Sequence, residues 1–441
     1  MSKNDMISPA VAAAVGLGAI IGAGIFVLSG TAIALAGTYA IAAFALVGAL
    51  AFIIALELGE LGSLLPNVKG ASYSYTYKAL GSELGFITGI LRYMALATAI
   101  GAIALGFGSY LASFLGMAVS VYAIPFAIAL IVILSIVNMF GVKKAANLDF
   151  GLVAIKITVL LIFVAFAMYL AFSNTSIGFS NIFAGSPGNN IIEGIFAASV
   201  AVFFSYSGFQ SISTLTDRIK GGAKGYVQAI MGAVVISIVL YLLVVTAMLI
   251  LLPASQYKIA ADPLSYALSA SHAPSWLFAV VDIGAMVATA SATLAMILTA
   301  SRSLYQMSVD ELLPKYFRKY NSKTDTAENG ILLSAIIGIL VLFAGNIYTI
   351  AAIANFGLMF NYMIIGFDII HFRRNKADAP FKMPGYPYLP IISIVLILVM
   401  LAGMPNEALV IGSATIMLLI AIYYTLREVD RKKVVHVRLF K

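Results

Sequence analysis

The sequence predicts an all-α membrane protein with twelve transmembrane helices, of which the first and the sixth are broken. Three observations support this prediction: 62% of the 441 residues are hydrophobic, only 10% are charged, and the apolar residues form long runs between short polar segments. A soluble domain carries about 25% charged residues, and no soluble core could bury so much apolar surface. The lipid bilayer is therefore the expected surrounding of the chain.

Twelve apolar runs are long enough to cross a bilayer, which takes about 20 helical residues. No soluble domain fits between them, so we expect one transmembrane domain over residues 1–441. We number the runs spans 1 to 12. They lie near residues 8–35, 40–64, 82–115, 119–140, 150–172, 191–216, 226–252, 275–306, 330–346, 348–370, 387–404 and 406–426.

The basic residues predict the orientation, because lysine and arginine accumulate in cytoplasmic loops. With the N-terminus inside, Lys258 is the one basic residue of an outer loop, Arg92 and Lys156 lie within spans, and the rest of the 26 face the cytoplasm. We therefore expect a multi-pass protein of the cell membrane with both termini cytoplasmic. The net charge of +8 then indicates topology and not nucleic-acid binding.

Span 1 contains the run GAIIGAGIFVLSG, with Gly18, Gly22 and Gly24 inside an otherwise apolar helix. Glycine lowers helix stability by about 1 kcal/mol relative to alanine. Backbone that leaves the helix inside lipid must be buried in protein or line a cavity. Span 1 is therefore predicted to be a broken helix whose free peptide groups face something polar, as in secondary transporters.

Span 6 contains the run FFSYSGFQ, where Ser205, Ser207 and Gly208 weaken the helix in the same way. Spans 1 and 6 are five apart, so an inverted repeat of five spans makes them symmetry mates. Close helix packing through small residues is the alternative interpretation of either run alone. Two interrupted spans at matching positions favour a transport site near the bilayer midplane.

Such a site suits a zwitterion. The half-helix that begins after Gly22 offers free N–H groups and a partial positive charge, which favour a carboxylate. The half-helices that end near Ile20 and Phe204 offer free carbonyl groups, which favour an ammonium group. Neither break contains a charged side chain, so backbone groups are expected to hold the ligand.

Six motifs follow one another along the chain: GLGAIIGAGIF (16–26), ELGSLLPNVKGASYSYTYKALG (60–81), GVKKAANLD (141–149), FFSYSGFQ (203–210), ASRSLYQMSVDELLP (300–314) and PFKMPGYPYLP (380–390). Together they resemble, in the same order, the motifs of the amino acid–polyamine–organocation (APC) transporters. The likeness is greatest to the branch of cationic-amino-acid-transporter-like and proton-coupled proteins. Each motif is weak alone, but the ordered set covers nearly the whole chain.

The resemblance implies a leucine-transporter-type fold that works by alternating access around a central amino acid. It implies two inverted five-helix repeats (about 8–172 and 191–370), then helices 11 and 12 (about 387–426) and a cytoplasmic tail (427–441). Phe204 matches the family's aromatic gate, with ordinary core packing as the alternative. By position, the residues implied to bind the substrate are Ile20, Gly22, Ala23, Gly24, Ile25, Phe204, Ser205 and Ser207.

Lys156 lies among apolar residues of span 5, seven residues past Asp149. At about 1.5 Å per residue it is roughly 10 Å inside the membrane, where an uncompensated charge costs roughly 2.5–3.5 kcal/mol. An ammonium group removed from water gives up its proton more readily. The residues alone leave two interpretations open: a lysine that extends back to the cytoplasmic surface, and a proton carrier.

The resemblance implies the second interpretation of Lys156, because proton-coupled APC proteins carry a lysine at this place in the fifth helix. It implies that the ammonium group contacts a backbone carbonyl of Gly18, Ala19 or Ile21. Ser291, in the polar run TASAT of span 8, is the expected side-chain neighbour.

Other charged residues also fall within the spans. Arg92 in span 3 is expected to form an ion pair with Glu57 or Glu60 of span 2, with Glu57 the better match in depth. Glu193 and Asp282 lie near the outer ends of spans 6 and 8, where either could select a cationic side chain.

At the end of span 10, Asp368 and His371 lie beside Arg373. We expect these residues to form a solvated cluster at the membrane surface.

The sequence thus predicts a secondary active transporter that imports amino acids, coupled to protons through Lys156. Small residues from Ala95 to Gly101 in span 3 favour broad specificity, with neutral amino acids first. A proton-independent amino acid exchanger and a non-transporting amino acid receptor stay open as alternatives. No enzyme activity, catalytic residue, metal or cofactor is expected, since the chain has no cysteine and three scattered histidines. The expected partners are the amino acid, the proton and the lipid bilayer.

Overall fold

The computed structural model describes residues 6–66, 72–140, 145–173, 178–183, 190–322, 324 and 326–430. In this part of the chain nearly all residues are helical, and the only β contacts are two isolated bridges. The α-helices are α1 (Pro9–Ile20), α2 (Ala23–Ala36), α3 (Ala40–Leu64), α4 (Ser72–Leu80), α5 (Ser82–Phe114), α6 (Val119–Met139), α7 (Ala145–Ser173), α8 (Ile191–Phe203), α9 (Gly222–Leu251), α10 (Pro263–Ala270), α11 (Ser275–Val309), α12 (Glu328–Val341), α13 (Ile347–Arg374), α14 (Tyr388–Ala402) and α15 (Asn406–Asp430).

Apolar helices long enough to cross a membrane dominate the fold, as the sequence predicts. Among the described residues, nine segments have the necessary length and composition, one of which runs from Gly24 to Leu64 through α2 and α3. Three further apolar helices are shorter: α1, α12 and α14. The all-α membrane class is therefore confirmed, and every predicted span overlaps an apolar helix.

The helices pack around α5, α9 and α13. Helix α5 contacts α6, α11, α12 and α13, whereas α9 contacts α1, α3 and α7. The two halves of span 1 have different neighbours, because α1 packs on α9 and α2 packs on α8. Apolar side chains on α6, α14 and α15 point outward, for example Ile133 and Met417, which suits helices that face lipid.

Two short helices were not predicted from the sequence. Helix α4, with nine residues, follows span 2, and α10, with eight, precedes span 8. Both are too short to cross a bilayer. The turn between α12 and α13 is set by Asn346, whose side chain accepts a hydrogen bond from the Thr349 N–H at 3.0 Å and so caps α13.

The predicted ion pair of Arg92 with Glu57 or Glu60 is wrong. Glu60 instead pairs with Arg373 of α13, with 2.5 Å between Nε and Oε1, and the Glu57 carboxyl group forms a hydrogen bond with the hydroxyl group of Ser393 of α14. The physical reason is packing, since this part of α3 faces α13 and α14. Arg92 lies buried on α5.

The predicted solvated cluster at the end of span 10 is wrong for Asp368, which is fully buried. Its Oδ2 atom accepts a hydrogen bond from Thr76 Oγ1 at 2.8 Å. Thr76 belongs to α4, which packs against α13 and covers this carboxyl group. His371, one turn further on, is half-buried and contacts Asn375.

Candidate functional site

Span 1 is interrupted at Ile21 and Gly22, between α1 and α2. The Gly22 N–H donates to the Ile20 carbonyl at 2.7 Å, and Ile21 has φ −75° and ψ 61°. These values are those of an inverse γ-turn. The turn separates two half-helices, so the carbonyl end of α1 and the amide end of α2 lie next to each other without helical partners.

Span 6 is interrupted after α8. The chain continues as a 3₁₀ turn from Phe204 to Tyr206, becomes extended at Ser207, and passes through Gly208 with φ 114°. A positive φ of this size favours glycine. The segment then continues as a 3₁₀ helix, Phe209–Arg218, so span 6 loses its α-helical form where the FFSYSGFQ motif predicts a break.

The two breaks are in direct contact. A Cβ atom on Gly24 would lie 2.2 Å from the Ser205 Cα atom, and one on Gly208 would lie 2.6 Å from the Ala19 carbonyl oxygen. The glycines therefore allow two backbones to approach where side chains would keep them apart. As a result, the start of α2 and the end of α1 both lie against the break of span 6.

Tyr241 of α9 joins the two breaks and was missed in the sequence. Its hydroxyl group lies 2.8 Å from the Ile20 carbonyl oxygen and 2.9 Å from the Ser205 carbonyl oxygen, and the side chain is fully buried. One hydroxyl hydrogen serves two acceptors, so one of the two carbonyls retains a weakly used lone pair. The available signal was a single tyrosine within an otherwise aliphatic stretch of span 7.

The predicted substrate amides are those of the first turn of α2. The Gly22 N–H is already used by the Ile20 carbonyl. The N–H groups of Ala23, Gly24 and Ile25 begin α2 and have no acceptor within their own helix. An anion at this end of α2 would face three donors and the positive end of the helix dipole.

The predicted substrate carbonyls are partly occupied by protein donors. The Phe204 carbonyl accepts from the Ser207 N–H at 3.0 Å and from Ser207 Oγ at 2.7 Å. The Ile20 and Ser205 carbonyls share the Tyr241 hydroxyl. Beside them, Ser205 Oγ is buried without a hydrogen-bond partner among the described residues. An unpaired buried hydroxyl is costly, which is consistent with a polar ligand at this point.

The Phe204 side chain is 6% exposed and lies in the interior of the bundle. Its neighbour Phe203 contacts Tyr362 of α13, with ring centroids 5.9 Å apart. Phe209, on the other side of the break, stacks on the same tyrosine at 5.8 Å. Aromatic rings therefore surround the break in span 6, and this geometry is compatible both with core packing and with an aromatic gate.

Lys156 of α7 is 2% exposed and donates a hydrogen bond from Nζ to the Gly18 carbonyl oxygen at 3.1 Å. In an uninterrupted helix this carbonyl would accept from the N–H of Gly22. Because the Gly22 N–H turns to Ile20, the Gly18 carbonyl becomes free and the ammonium group takes it. A cation at the carboxyl end of a helix is stabilised by the helix dipole.

Gly18 itself allows this contact. A Cβ atom at Gly18 would lie 2.5 Å from a methyl carbon of Val153, which is one turn before Lys156 on α7. The lack of a side chain thus lets α7 pack closely on α1. Ser291, the other predicted proton-coupling residue, donates its hydroxyl to the Ala288 carbonyl of its own helix at 3.0 Å.

The small residues of span 3 serve helix packing. A Cβ atom on Gly101 would lie 2.6 Å from the Gly338 carbonyl oxygen of α12, and one on Gly357 of α13 would lie 3.1 Å from Ala95. These contacts explain the small side chains without a substrate pocket. They do not support the inference of broad specificity from residues 95–101.

A cavity of about 460 Å³ lies where α5 ends, around α10 and the start of α11. Its lining includes Asp262 and Asp282, and Ser265 donates a hydrogen bond to the Asp282 carboxylate. Burial raises the pKa of Asp262, which lies in the loop before α10, to about 6. Glu193, the other acid considered for this side of the membrane, is exposed in the first turn of α8.

Two interrupted helices that meet inside a bundle of apolar helices are the architecture of a membrane transporter. A family model for amino acid permeases matches residues 12–427. The chain belongs to this family of the APC superfamily, as the six motifs predict, and is a transporter and not an enzyme.

Several relatives share most of their length with this chain. The branched-chain amino acid permease BcaP of Bacillus subtilis is 28% identical over 416 residues, which cover 88% of this chain and 86% of the relative. The methylthioribose transporter of the same organism is 28% identical, with 89% and 87% coverage. The cationic amino acid transporter 7 of Arabidopsis thaliana is 26% identical, with 91% and 72% coverage.

Proposed function

We propose that this protein imports amino acids by secondary active transport and alternating access, with the substrate held at the two breaks. The observation that carries the proposal is the contact of the breaks, since Gly24 and Ser205 meet backbone to backbone. The amide end of α2 and the carbonyl ends of α1 and α8 therefore lie side by side in buried space. Helix ends of opposite polarity suit the carboxylate and the ammonium group of one amino acid.

The proposal includes twelve membrane crossings arranged as two inverted repeats, about residues 8–172 and 191–370, followed by helices 11 and 12 over residues 387–426. Two interrupted helices, five spans apart and in contact, support this arrangement. The placement of the basic residues supports cytoplasmic termini in the cell membrane, with a tail over residues 427–441.

Substrate recognition is proposed to use eight residues. The carboxylate would accept from the N–H groups of Ala23, Gly24 and Ile25, and the ammonium group would donate to carbonyls at the two breaks. Entry of an ammonium group would displace the Tyr241 hydroxyl from one of its two acceptors. The full proposed set is Ile20, Gly22, Ala23, Gly24, Ile25, Phe204, Ser205 and Ser207.

Proton coupling is proposed to run through Lys156, with Ser291 as a neighbour on α11. While protonated, the ammonium group holds the Gly18 carbonyl at the end of α1. Loss of the proton removes both this positive charge and the charge-assisted hydrogen bond, so α1 is released to move relative to α7. A buried lysine suits this role because desolvation favours its neutral form.

The names of the relatives indicate which ligands to test first. BcaP is named for branched-chain amino acids and the plant relative for cationic ones, so both classes belong in a screen with other neutral amino acids. Methylthioribose, after which a third relative is named, serves as the probe without an amino acid backbone. We propose neutral amino acids as the main substrates.

Thermal unfolding of the purified protein with each amino acid, at acidic and neutral pH, identifies ligands, because a ligand of the native state raises its apparent stability. Uptake of the strongest ligand is then measured in proteoliposomes with an imposed inward proton gradient. Accumulation in vesicles that lack internal substrate is expected. Binding without uptake would indicate a receptor, and uptake only into preloaded vesicles would indicate an exchanger; either result contradicts the proposal.

A further inference from the structure

Glu57 is a carboxyl group in the interior of the bundle that forms no ion pair with any described residue. The side chain is fully buried. Its Oε2 atom has no hydrogen-bond partner among the described residues. An ionised carboxylate in such a place is far less stable than a neutral carboxylic acid.

In the contact between Glu57 and Ser393, the hydrogen atom belongs either to the serine hydroxyl group or to the carboxyl group. The Ser393 hydroxyl oxygen lies 2.6 Å from Glu57 Oε1 and 2.9 Å from the Pro390 carbonyl oxygen. A serine hydroxyl has one hydrogen, and the carbonyl can only accept. A serine in a helix commonly donates its hydroxyl hydrogen to a carbonyl of the preceding turn, which here is that of Pro390. If Ser393 does so, the hydrogen between Ser393 Oγ and Glu57 Oε1 belongs to Glu57.

A second buried acid lies on a neighbouring helix. Asp368 belongs to α13, which packs against α3, and its side chain is also fully buried. Thr76 donates to one of its oxygen atoms, while Oδ1 has no partner among the described residues. Two buried carboxyl groups, each with an oxygen atom that has no partner among the described residues, favour a protonated form.

None of the ion pairs in the described part of the chain includes Glu57 or Asp368. Arg373 of α13 forms an ion pair with Glu60, which lies one turn from Glu57 on α3. The titratable and charged residues on α3, on the α-helices that pack against it and on α4, which covers Asp368, are Glu60 on α3, Tyr73, Tyr75, Tyr77 and Lys78 on α4, Glu193 on α8, Lys224, Tyr226 and Tyr241 on α9, Tyr348, Tyr362, Asp368, His371, Arg373 and Arg374 on α13, and Tyr388 on α14.

We propose that Glu57 carries a bound proton in this conformation and that Glu57 and Asp368 form a second proton-binding site, separate from Lys156. The Glu57 O–H donates to Ser393 Oγ, and the Ser393 O–H donates to the Pro390 carbonyl. The site joins α3, α13 and α14, so a movement of these helices that separates Glu57 from Ser393, or that brings a cation or water to the acids, releases the proton. The proposal does not depend on the transported substrate.

Infrared difference spectroscopy tests this proposal, because a protonated carboxyl group has its own carbonyl stretch. The purified wild type is compared at neutral pH with Glu57→Gln, in which an amide N–H can replace the acid O–H. The variant is expected to lose one protonated-carboxyl band and to unfold at nearly the wild-type temperature. An unchanged set of protonated-carboxyl bands in Glu57→Gln would overturn the proposal.

Two controls separate this site from its surroundings. Glu60→Gln removes an ion-paired carboxylate one turn away and is expected to leave the protonated-carboxyl bands unchanged. Lys156→Gln is also expected to leave them unchanged, so failure of the transport proposal and failure of this one are distinguishable. Should Glu57→Gln not fold, Glu57→Asp is used, and a band that keeps its wild-type frequency in that variant contradicts the assignment. A wild-type spectrum without any such band contradicts it in every case.

Discussion

Gly24 and Ser205 approach so closely that a side chain on Gly24 would begin 2.2 Å from the Ser205 Cα atom. The obstacle is backbone, which cannot rotate away as the end of a flexible side chain can. Because the two residues belong to different interrupted helices, their contact sets the distance between the amide end of α2 and the break after α8. The geometry of the proposed substrate site therefore depends on the absence of a side chain at position 24.

Gly24→Ala is expected to abolish substrate binding and to lower the unfolding temperature, because the two breaks must move apart. The measurement is thermal unfolding with and without amino acid, together with uptake. Gly232→Ala on α9 is the matched control, since a Cβ there meets nothing within 4 Å. That control is expected to keep activity and to gain up to about 1 kcal/mol from better helix propensity. Normal binding by Gly24→Ala would contradict this account of the site.

Tyr241→Phe is expected to destabilise the protein by about 1–3 kcal/mol, because it leaves buried carbonyls without a donor. It is also expected to weaken substrate binding, because the hydroxyl group no longer holds the two breaks in position. The affected carbonyls are those of Ile20 and Ser205. Tyr257→Phe is the control. Its hydroxyl donates to the Met248 carbonyl oxygen at a distance of 2.7 Å, and neither residue belongs to a break. We expect both variants to lose stability, but only Tyr241→Phe to lose affinity. Equal affinities would assign Tyr241 a purely structural role.

Glu60→Gln is expected to destabilise the protein by about 3 kcal/mol, because it leaves the Arg373 charge without its partner. The Glu60 carboxylate is buried, and it also accepts the Met383 N–H at 2.8 Å. Asp378→Asn is the control, since Asp378 and Lys382 form an ion pair of 2.7 Å whose side chains are 86% and 52% exposed. We expect almost no change there. The test is thermal unfolding of both variants, and similar losses of stability in the two would contradict the prediction.

Asp262→Asn is expected to change how stability depends on pH. Burial raises the pKa of Asp262 to about 6 from 3.8, so the folded protein holds this proton more tightly than the unfolded chain. Stability therefore falls as the pH rises from about 4 to about 6, by about 1.4 kcal/mol per unit of pKa difference. The variant lacks this loss, so its unfolding temperature relative to the wild type should rise with pH over this range. If the unfolding temperatures of the variant and the wild type instead change in parallel with pH, the prediction for Asp262 is wrong.

The sequence predicts the helices well because one physical property, apolar length, determines them. All twelve runs overlap apolar helices, and span 2 and α3 have the same bounds, residues 40–64. The breaks are predicted for a similar reason, since Gly22 and Gly208 weaken the helix locally. Structural features that are determined by residues close together in the chain can therefore be predicted from the sequence.

Contacts between residues far apart in the chain could not be predicted in this way. Glu60 and Arg373 are 313 residues apart in the chain, and depth in the membrane alone suggested Arg92 as the partner. Tyr241 carries no motif, and its role follows only from the meeting of α1, α8 and α9. Helix α4 was missed because its nine residues include four polar ones and three tyrosines, and this composition resembles a loop.

The central claim is that the proton on Lys156 controls the end of α1 through the Gly18 carbonyl. Lys156→Gln tests it most directly, because glutamine keeps a polar N–H donor at this position but carries no titratable proton. Lys258→Gln, at an exposed lysine outside the helices, is the matched control. In proteoliposomes with an imposed proton gradient, the wild type and Lys258→Gln are expected to accumulate the amino acid, whereas Lys156→Gln binds it without accumulation. Gradient-driven accumulation by Lys156→Gln at the wild-type level would contradict the claim.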